Sequence, residues 1–195
     1  GNWMKRVKLI VAYDGTNYSG WQIQPNGITI EEILNRQISK LTGEDIRIIG
    51  ASRTDSGVHA LGNVAVFDTE SRIPGDRFAY ALNQKMPEDI VIVRSDEVQI
   101  DWHPRYQNEI SKTYEYHIYN AKVRNPLKNR YSTFVSFDLD VEKMRQGAKY
   151  ILGEHDFASF CNVRTNAKDT VRTVHEITIK EIPMDKFQAS NWGQE

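Results

Sequence analysis

A single cysteine, Cys161, stands in a chain of 195 residues. No internal disulfide can form, and such usage suits a reducing compartment, so a cytoplasmic location is expected. Cys161 itself reads as a small buried or half-buried hydrophobe. No apolar run approaches the roughly 20 residues of a membrane-spanning helix, and no secretory signal pattern is visible. The five histidines, His59, His103, His117, His155 and His175, show no metal-ligand spacing. Neither a P-loop nor a G-x-G-x-x-G pattern is present. Asp14-Gly15 has no second acidic cluster to complete a metal loop, and nothing selects a partner for Asp55 in a glycosidase-type carboxylate pair. Excess charge is lacking too: 25 Lys and Arg against 26 Asp and Glu leave a formal net charge of −1. A nucleic-acid partner therefore cannot be inferred from overall charge and requires local basic patches. No low-complexity tract or clear internal repeat appears.

What is present is an adequate core. Apolar residues make up 39% of the chain and the mean hydropathy is −0.57, as in a globular protein. The length suits one large domain or two small ones. Gly1-Asn2-Trp3 precedes Met4 and stands outside the fold argument. Residues 5–13, KRVKLIVAY, predict a first strand. Thr29 followed by Glu32 is a capping-box pattern. Ile30, Ile33, Leu34, Ile38 and Leu41 then share one helix face, with Gly43 as the stop. Strands are predicted over 46–51 and 63–68. A second helix starts at Pro74-Gly75-Asp76, points Phe78, Ala79, Leu82 and Met86 inward, and ends at Pro87. The apolar run 90–93 predicts a buried strand.

Strand, helix, strand, strand, helix, strand is the order of a split βαβ, ferredoxin-like half. It gives an antiparallel sheet with both helices on one face and leaves the other face free to bind. RNA-recognition modules use the same topology. The polar run 101–108 marks a boundary, giving an N-terminal half over 4–107 and a C-terminal half over 108–195. In the second half, strands are predicted over 112–119, 131–137 and 170–182, a helix over 141–152 and a compact loop over 155–160. Lys122, Arg124, Lys128 and Arg130 crowd one loop and are the first candidates for phosphate contact. Arg164, Lys168 and Arg172 come second. A solvated loop is the alternative for each of these cations.

The chemistry-bearing stretch is Gly50-Ala51-Ser52-Arg53-Thr54-Asp55-Ser56-Gly57-Val58-His59-Ala60. Small residues carry one Arg, one Asp and one His between two predicted strands. Ser56-Gly57 permits a sharp turn. If strand geometry persists, Arg53 and Asp55 point the same way. A guanidinium beside a carboxylate favours the ionised acid that a nucleophile requires. An ordinary surface turn is the alternative. His59 reads as support for the loop.

The longer string RTDSGVHALGNVAVF resembles the signature of the tRNA pseudouridine synthase A (TruA) family. Tyr13-Asp14-Gly15 with Tyr18-Ser19-Gly20-Trp21-Gln22 is similar to that family's opening motif. Leu82 to Ile90, His103-Pro104-Arg105-Tyr106, Lys112 to Tyr116 and Gly153 to Phe160 resemble four further segments, all in the family order. Ser52 departs from the glycine the family often has there; the loop tolerates this unless the position needs positive φ.

The resemblance implies two ferredoxin-like, RRM-like halves of an α+β protein whose antiparallel sheets line a central RNA-binding cleft. It implies isomerisation of uridine in the anticodon stem-loop of tRNA, at positions 38 to 40, by a homodimer, with no metal or redox cofactor and no membrane. It assigns Asp55 as nucleophile, with Arg53 beside it as a substrate-binding residue. Arg53 would hold the place of the flipped-out base or steer Asp55. Tyr114 would be the tyrosine that packs on the target base; a core tyrosine in a strand is the alternative. A carboxylate with an ordinary pKa of about 3.9 is ionised at neutral pH. It can form or stabilise a covalent intermediate at the sugar, or abstract a proton. Family members continue beyond the equivalent of Glu195 with a strand and helices that supply another arginine and an apolar residue near the nucleophile. The C-terminal half is therefore expected to be incomplete relative to the family. The second reading is a non-catalytic or catalytically incomplete RNA-binding protein of the same fold.

Overall fold

The computed structural model describes residues 3–105, 114–156, 171–174 and 176–183. The chain divides into two compact units, Gly1–Tyr114 and Glu115–Glu195. Mixed helices and strands with an antiparallel main sheet agree with the expected α+β class.

In the first unit, β1 (Lys5–Tyr13) is the centre of the sheet. It alternates strictly, burying Val7, Leu9, Val11 and Tyr13 on one face. It pairs antiparallel with β3 (Ala60–Thr69) on one side and β4 (Ile90–Val98) on the other. β2 (Ile49–Gly50) pairs antiparallel with the outer side of β3, giving the order β2-β3-β1-β4. β1 and β2 thus run parallel with β3 between them, a split βαβ arrangement.

Helix α1 (Ile30–Thr42) forms where the capping signal lies. The Thr29 hydroxyl accepts the Glu32 amide at 3.2 Å, and Gly43 closes the helix at φ 73°. The Glu32 carboxylate instead accepts from Arg36 one turn on, at 3.1 Å. Ile30, Leu34 and Ile38 are fully buried at a spacing of four, against the Val7–Val11 face of the sheet. Each such side chain contributes about 1.5–3 kcal/mol by leaving water.

Helix α2 (Phe78–Asn83) follows a 3-10 turn at Gly75–Arg77 and buries Phe78 and Leu82. The Phe78 ring meets Phe67 edge-on at 5.1 Å. The helix stops before Met86, earlier than predicted. Its last residue, Asn83, donates its side-chain N–H to the Ile92 carbonyl and accepts the Ile92 amide through Oδ1, both at 2.8 Å. It thereby satisfies a β4 edge that, among the described residues, has no further strand beside it.

Two other expectations change. The strand predicted over 46–51 shrinks to two residues because the helix competes for its backbone. The Ile46 amide donates to the Ser39 hydroxyl and the Ile48 amide to the Asn35 side chain, both at 2.9 Å. The second face of the sheet, expected to lie free, is crossed by the chain after β4. Arg6 donates to the Trp102 carbonyl at 2.6 Å, and the Lys8 ammonium lies 5.2 Å from the centre of the Trp102 ring. Pro104 is buried, and Arg105 Nε donates to the Gly50 carbonyl on the opposite edge at 2.9 Å. The strap over residues 99–105 thus runs from β4 across β1 and past β3 to β2.

The second unit is built of shorter pieces. β5 (Ile118–Asn120) pairs with β6 (Thr133–Val135) in parallel, against the antiparallel expectation. Tyr114 and Tyr116 are exposed, so the alternation that predicted a longer strand does not bury a face. Helix α3 (Val141–Ala148) is capped by Asp140, which accepts the Lys143 amide at 3.1 Å. It is shorter than predicted and buries none of its own residues. Gly153–Asp156, predicted in part as loop, forms β7, antiparallel to β8 (Val171–Val174). The strand predicted over 170–182 therefore ends early, and 176–183 carry no regular structure. Tyr106, Lys112, Thr113, residues 157–160 and Cys161 lie outside the described residues.

Candidate active site

The loop carrying Asp55 joins β2 to β3, and every flank of it is held. At its tip the Val58 amide donates to the Asp55 carbonyl at 3.1 Å. Gly57 occupies the third turn position at φ 78°, which only glycine adopts without strain. The Tyr18 carbonyl accepts the Gly57 amide at 3.3 Å and the Ser56 hydroxyl at 3.2 Å. The Trp21 amide donates to the Thr54 carbonyl at 3.0 Å. Gly20, at φ 84°, permits this approach; a Cβ there would sit 2.8 Å from the Thr54 oxygen. The segment Tyr13–Gln22 is thus the mould against which the Asp55 loop is cast.

Polar side chains complete the mould. The Tyr13 hydroxyl lies 2.6 Å from the Thr54 hydroxyl, and Asn63 donates to the Ser52 carbonyl at 2.9 Å. Tyr18 donates to Asp89; burial, then this carboxylate, push its phenol pKa far up, so it stays a donor. The Gly15 amide donates to His59 Nδ1 at 3.0 Å, while Asp14 Oδ1 lies 3.2 Å from the same nitrogen. A neutral ring accepts from Gly15; a protonated ring donates to Asp14. His59 therefore ties the far end of the loop to the start of the mould, as the sequence suggested.

Arg53 and Asp55 are both exposed. Strand geometry ends at Gly50, and among the described residues no hydrogen bond or ion pair joins Arg53 to Asp55. The pair expected from their spacing is thus not formed. Asp55 instead presents its carboxylate to solvent from a backbone held on both sides.

Glu31, in the first turn of α1, is a nearby acid that sequence reasoning passed over. Burial pushes its pKa up, while the Ile23 backbone and the charges of Arg53 and Arg105 pull it back. A carboxyl whose folded pKa is raised favours folding in its protonated form. That contribution is present below the ordinary carboxyl pKa and lost as pH rises through the raised one. Glu31→Gln is therefore expected to flatten the fall in stability over that acidic window and to raise the urea midpoint at pH 7. An unchanged pH profile would contradict the burial effect.

Lys122, Arg124, Lys128 and Arg130 share one loop organised around Asn125, which is buried. Its side-chain oxygen accepts the Leu127 amide and its carbonyl the Lys128 amide, both at 2.9 Å. Lys122 and Arg124 are exposed. Tyr114 is 64% exposed, so it is not a core tyrosine. Arg164, Lys168 and the side chain of Arg172 lie outside the described residues. Among the described residues no group of three His, Cys, Asp or Glu side chains could hold a metal, and no helix is long and apolar enough to cross a membrane. Tyr13, Asn63 and Arg105 also escaped sequence reasoning. Tyr13 follows Val7, Leu9 and Val11 in strand alternation and so reads as core.

An exposed aspartate on a loop braced from both sides defines a candidate enzyme. The family model of tRNA pseudouridine synthase matches residues 9–107 and 148–190, which include this loop and its mould. The tRNA pseudouridine synthase A of Acetivibrio thermocellus is 49% identical over 191 residues, covering 97% of this chain and 78% of that protein. The proteins of the same name from Thermoanaerobacter sp. and Brevibacillus brevis are 44% identical, covering 91% and 92% of this chain and 72% and 73% of their own lengths. The chain belongs to the tRNA pseudouridine synthase A family, as the motifs indicated.

Proposed function

We infer that this chain isomerises uridine to pseudouridine in tRNA, with Asp55 as its nucleophile. The relatives' activity supplies the reaction and substrate. The Asp55 carboxylate, exposed on its braced loop and unpaired among the described residues, is the observation that carries the residue assignment. In the reaction the C1′–N1 bond breaks, the uracil turns, and C5 takes over the bond to C1′. The hydrogen on C5 leaves as a proton, and N1, released from the sugar, takes one up, so that the product is an isomer of the substrate. The Asp55 carboxylate forms or stabilises the sugar intermediate, and no group outside the chain and the RNA is needed for balance.

The target uridine must leave its stack, at a cost of a few kcal/mol. Arg53 offers a planar fork to fill the vacated place, and Tyr114 an aromatic face for the extruded base. Phosphate contacts offset the rest, with Lys122, Arg124, Lys128 and Arg130 as their source. Arg124→Gln is expected to weaken tRNA binding and to lower the slope of log affinity against log salt by about 1. A slope identical to that of the parent chain would remove Arg124 from the contact.

The substrate region is the anticodon stem-loop, positions 38 to 40, bound by a homodimer of chains each with two ferredoxin-like halves over 4–107 and 108–195. The antiparallel split βαβ sheet of the first unit supports that reading for the N-terminal half. Mapping pseudouridine in unmodified tRNA after incubation with the chain tests the substrate region. New pseudouridine at 38 to 40 is expected; modification confined to other positions would overturn it. Binding without modification would favour the non-catalytic RNA-binding reading.

A further inference from the structure

Both neighbours of Arg53 are held by one polar chain, Ser52 through its carbonyl and Thr54 through its hydroxyl. Asn63, on β3, donates its side-chain amide to the Ser52 carbonyl at 2.9 Å and also reaches the Tyr13 hydroxyl at 3.4 Å. Tyr13, at the end of β1, lies 2.6 Å from the Thr54 hydroxyl. Tyr13 and Asn63 are 5% and 6% exposed, so water does not substitute for these bonds without opening the core. The Tyr13 oxygen accepts from Asn63, and in the bond between Tyr13 and Thr54 either hydroxyl can donate. Burial pushes the Tyr13 phenol pKa up, partly offset by its bonds to Thr54 and Asn63.

We propose that Asn63 and Tyr13 are positioning residues for the reaction: together they fix Ser52 and Thr54, and so set where Arg53 and Asp55 stand. This rests on the assignment of Asp55 above. The chain links two strands that are hydrogen-bonded neighbours, β1 and β3, to an otherwise irregular segment. Ring packing and hydrogen bonding by Tyr13 are separable. Its ring centre lies 5.9 Å from that of Trp21, a contact that phenylalanine keeps. A displacement of about 1 Å in a reacting group costs up to about 100-fold in rate.

The experiment measures kcat and KM for tRNA isomerisation in the parent chain, Tyr13→Phe, Thr54→Val, the double variant and Thr54→Ser. Tyr13→Phe and Thr54→Val are each expected to lower kcat between about 10- and 100-fold, with KM within about twofold. The double variant is expected to lose no more than either single one, because both break the same bond. Thr54→Ser, which keeps the hydroxyl, is expected to retain the parent kcat. Parent kcat in Tyr13→Phe, or additive losses in the double variant, would overturn the positioning role. A lowered melting temperature with kcat unchanged would do the same, leaving a purely structural network. A parent chain that binds tRNA without turning it over would overturn the Asp55 reading itself, and the positioning role with it.

Discussion

Asp55→Asn is expected to lower kcat for uridine isomerisation by about 10⁴-fold or more, the scale seen when a covalent catalyst loses a member of its reacting machinery. The amide keeps the shape of the carboxylate and removes its charge and nucleophilicity. The side chain is exposed, and among the described residues it makes no hydrogen bond or ion pair. The turn it sits in is held by backbone atoms, through the Asp55 carbonyl and the Val58 amide. Melting temperature and tRNA affinity should therefore stay close to the parent values, so that the loss falls on chemistry alone. Loss of tRNA affinity in parallel with kcat would mean that Asp55 acts in binding.

Gly15→Ala is expected to cost stability and activity together. A Cβ at this position would lie 2.0 Å from the Val58 carbonyl oxygen and 2.7 Å from its carbon. Both are backbone atoms of the Asp55 loop, so no side chain can swing away. Relief requires parting the loop from its mould, which breaks the bond from the Gly15 amide to His59. Overpacking of this kind costs about 3 kcal/mol. For a chain of this size that lowers the melting temperature by roughly 6–12 °C. The loop displacement adds a fall in kcat of up to about 100-fold. Gly43→Ala provides the contrast. Gly43 has φ 73° but nothing within 4 Å of an added Cβ. It carries only the backbone strain, about 1–2 kcal/mol, and should leave kcat alone. Equal effects of the two substitutions would mean that the Gly15–Val58 contact does not constrain the loop.

The parts of this protein that could be read directly are those written in local pattern. Thr29 as cap, Gly43 as stop, and Ile30, Leu34 and Ile38 as the buried stripe all follow from spacing within one helix. The strand at Lys5–Tyr13 follows from alternation. What escaped depends on side chains that bond to backbone far along the sequence. Ser39 and Asn35 take the amides that would have lengthened β2, and Asn83 fills the open edge of β4. Neither exchange has a periodic signature. The strap over 99–105 escaped because it is held by Arg6, Lys8 and a carbonyl at Gly50 rather than by a hydrophobic run.

The candidate site divides in the same way. The loop between β2 and β3 was legible because its residues form a distinctive string. The reason for that string was not. Gly15, Gly20 and Tyr18 looked like members of a separate motif, yet they form the surface on which the Asp55 loop rests. Spacing alone also suggested an Arg53–Asp55 pair. That inference assumed strand geometry through Asp55, and the strand ends at Gly50.

Tritium release from tRNA carrying 5-tritiated uridine tests the Asp55 assignment most directly. Carbon 5 sheds its hydrogen when it takes over the glycosidic bond, so the signal reports completed isomerisation. The parent chain is expected to release tritium and Asp55→Asn to release none above background while still binding tRNA. Release by Asp55→Asn at the parent rate would contradict the role assigned to that carboxylate.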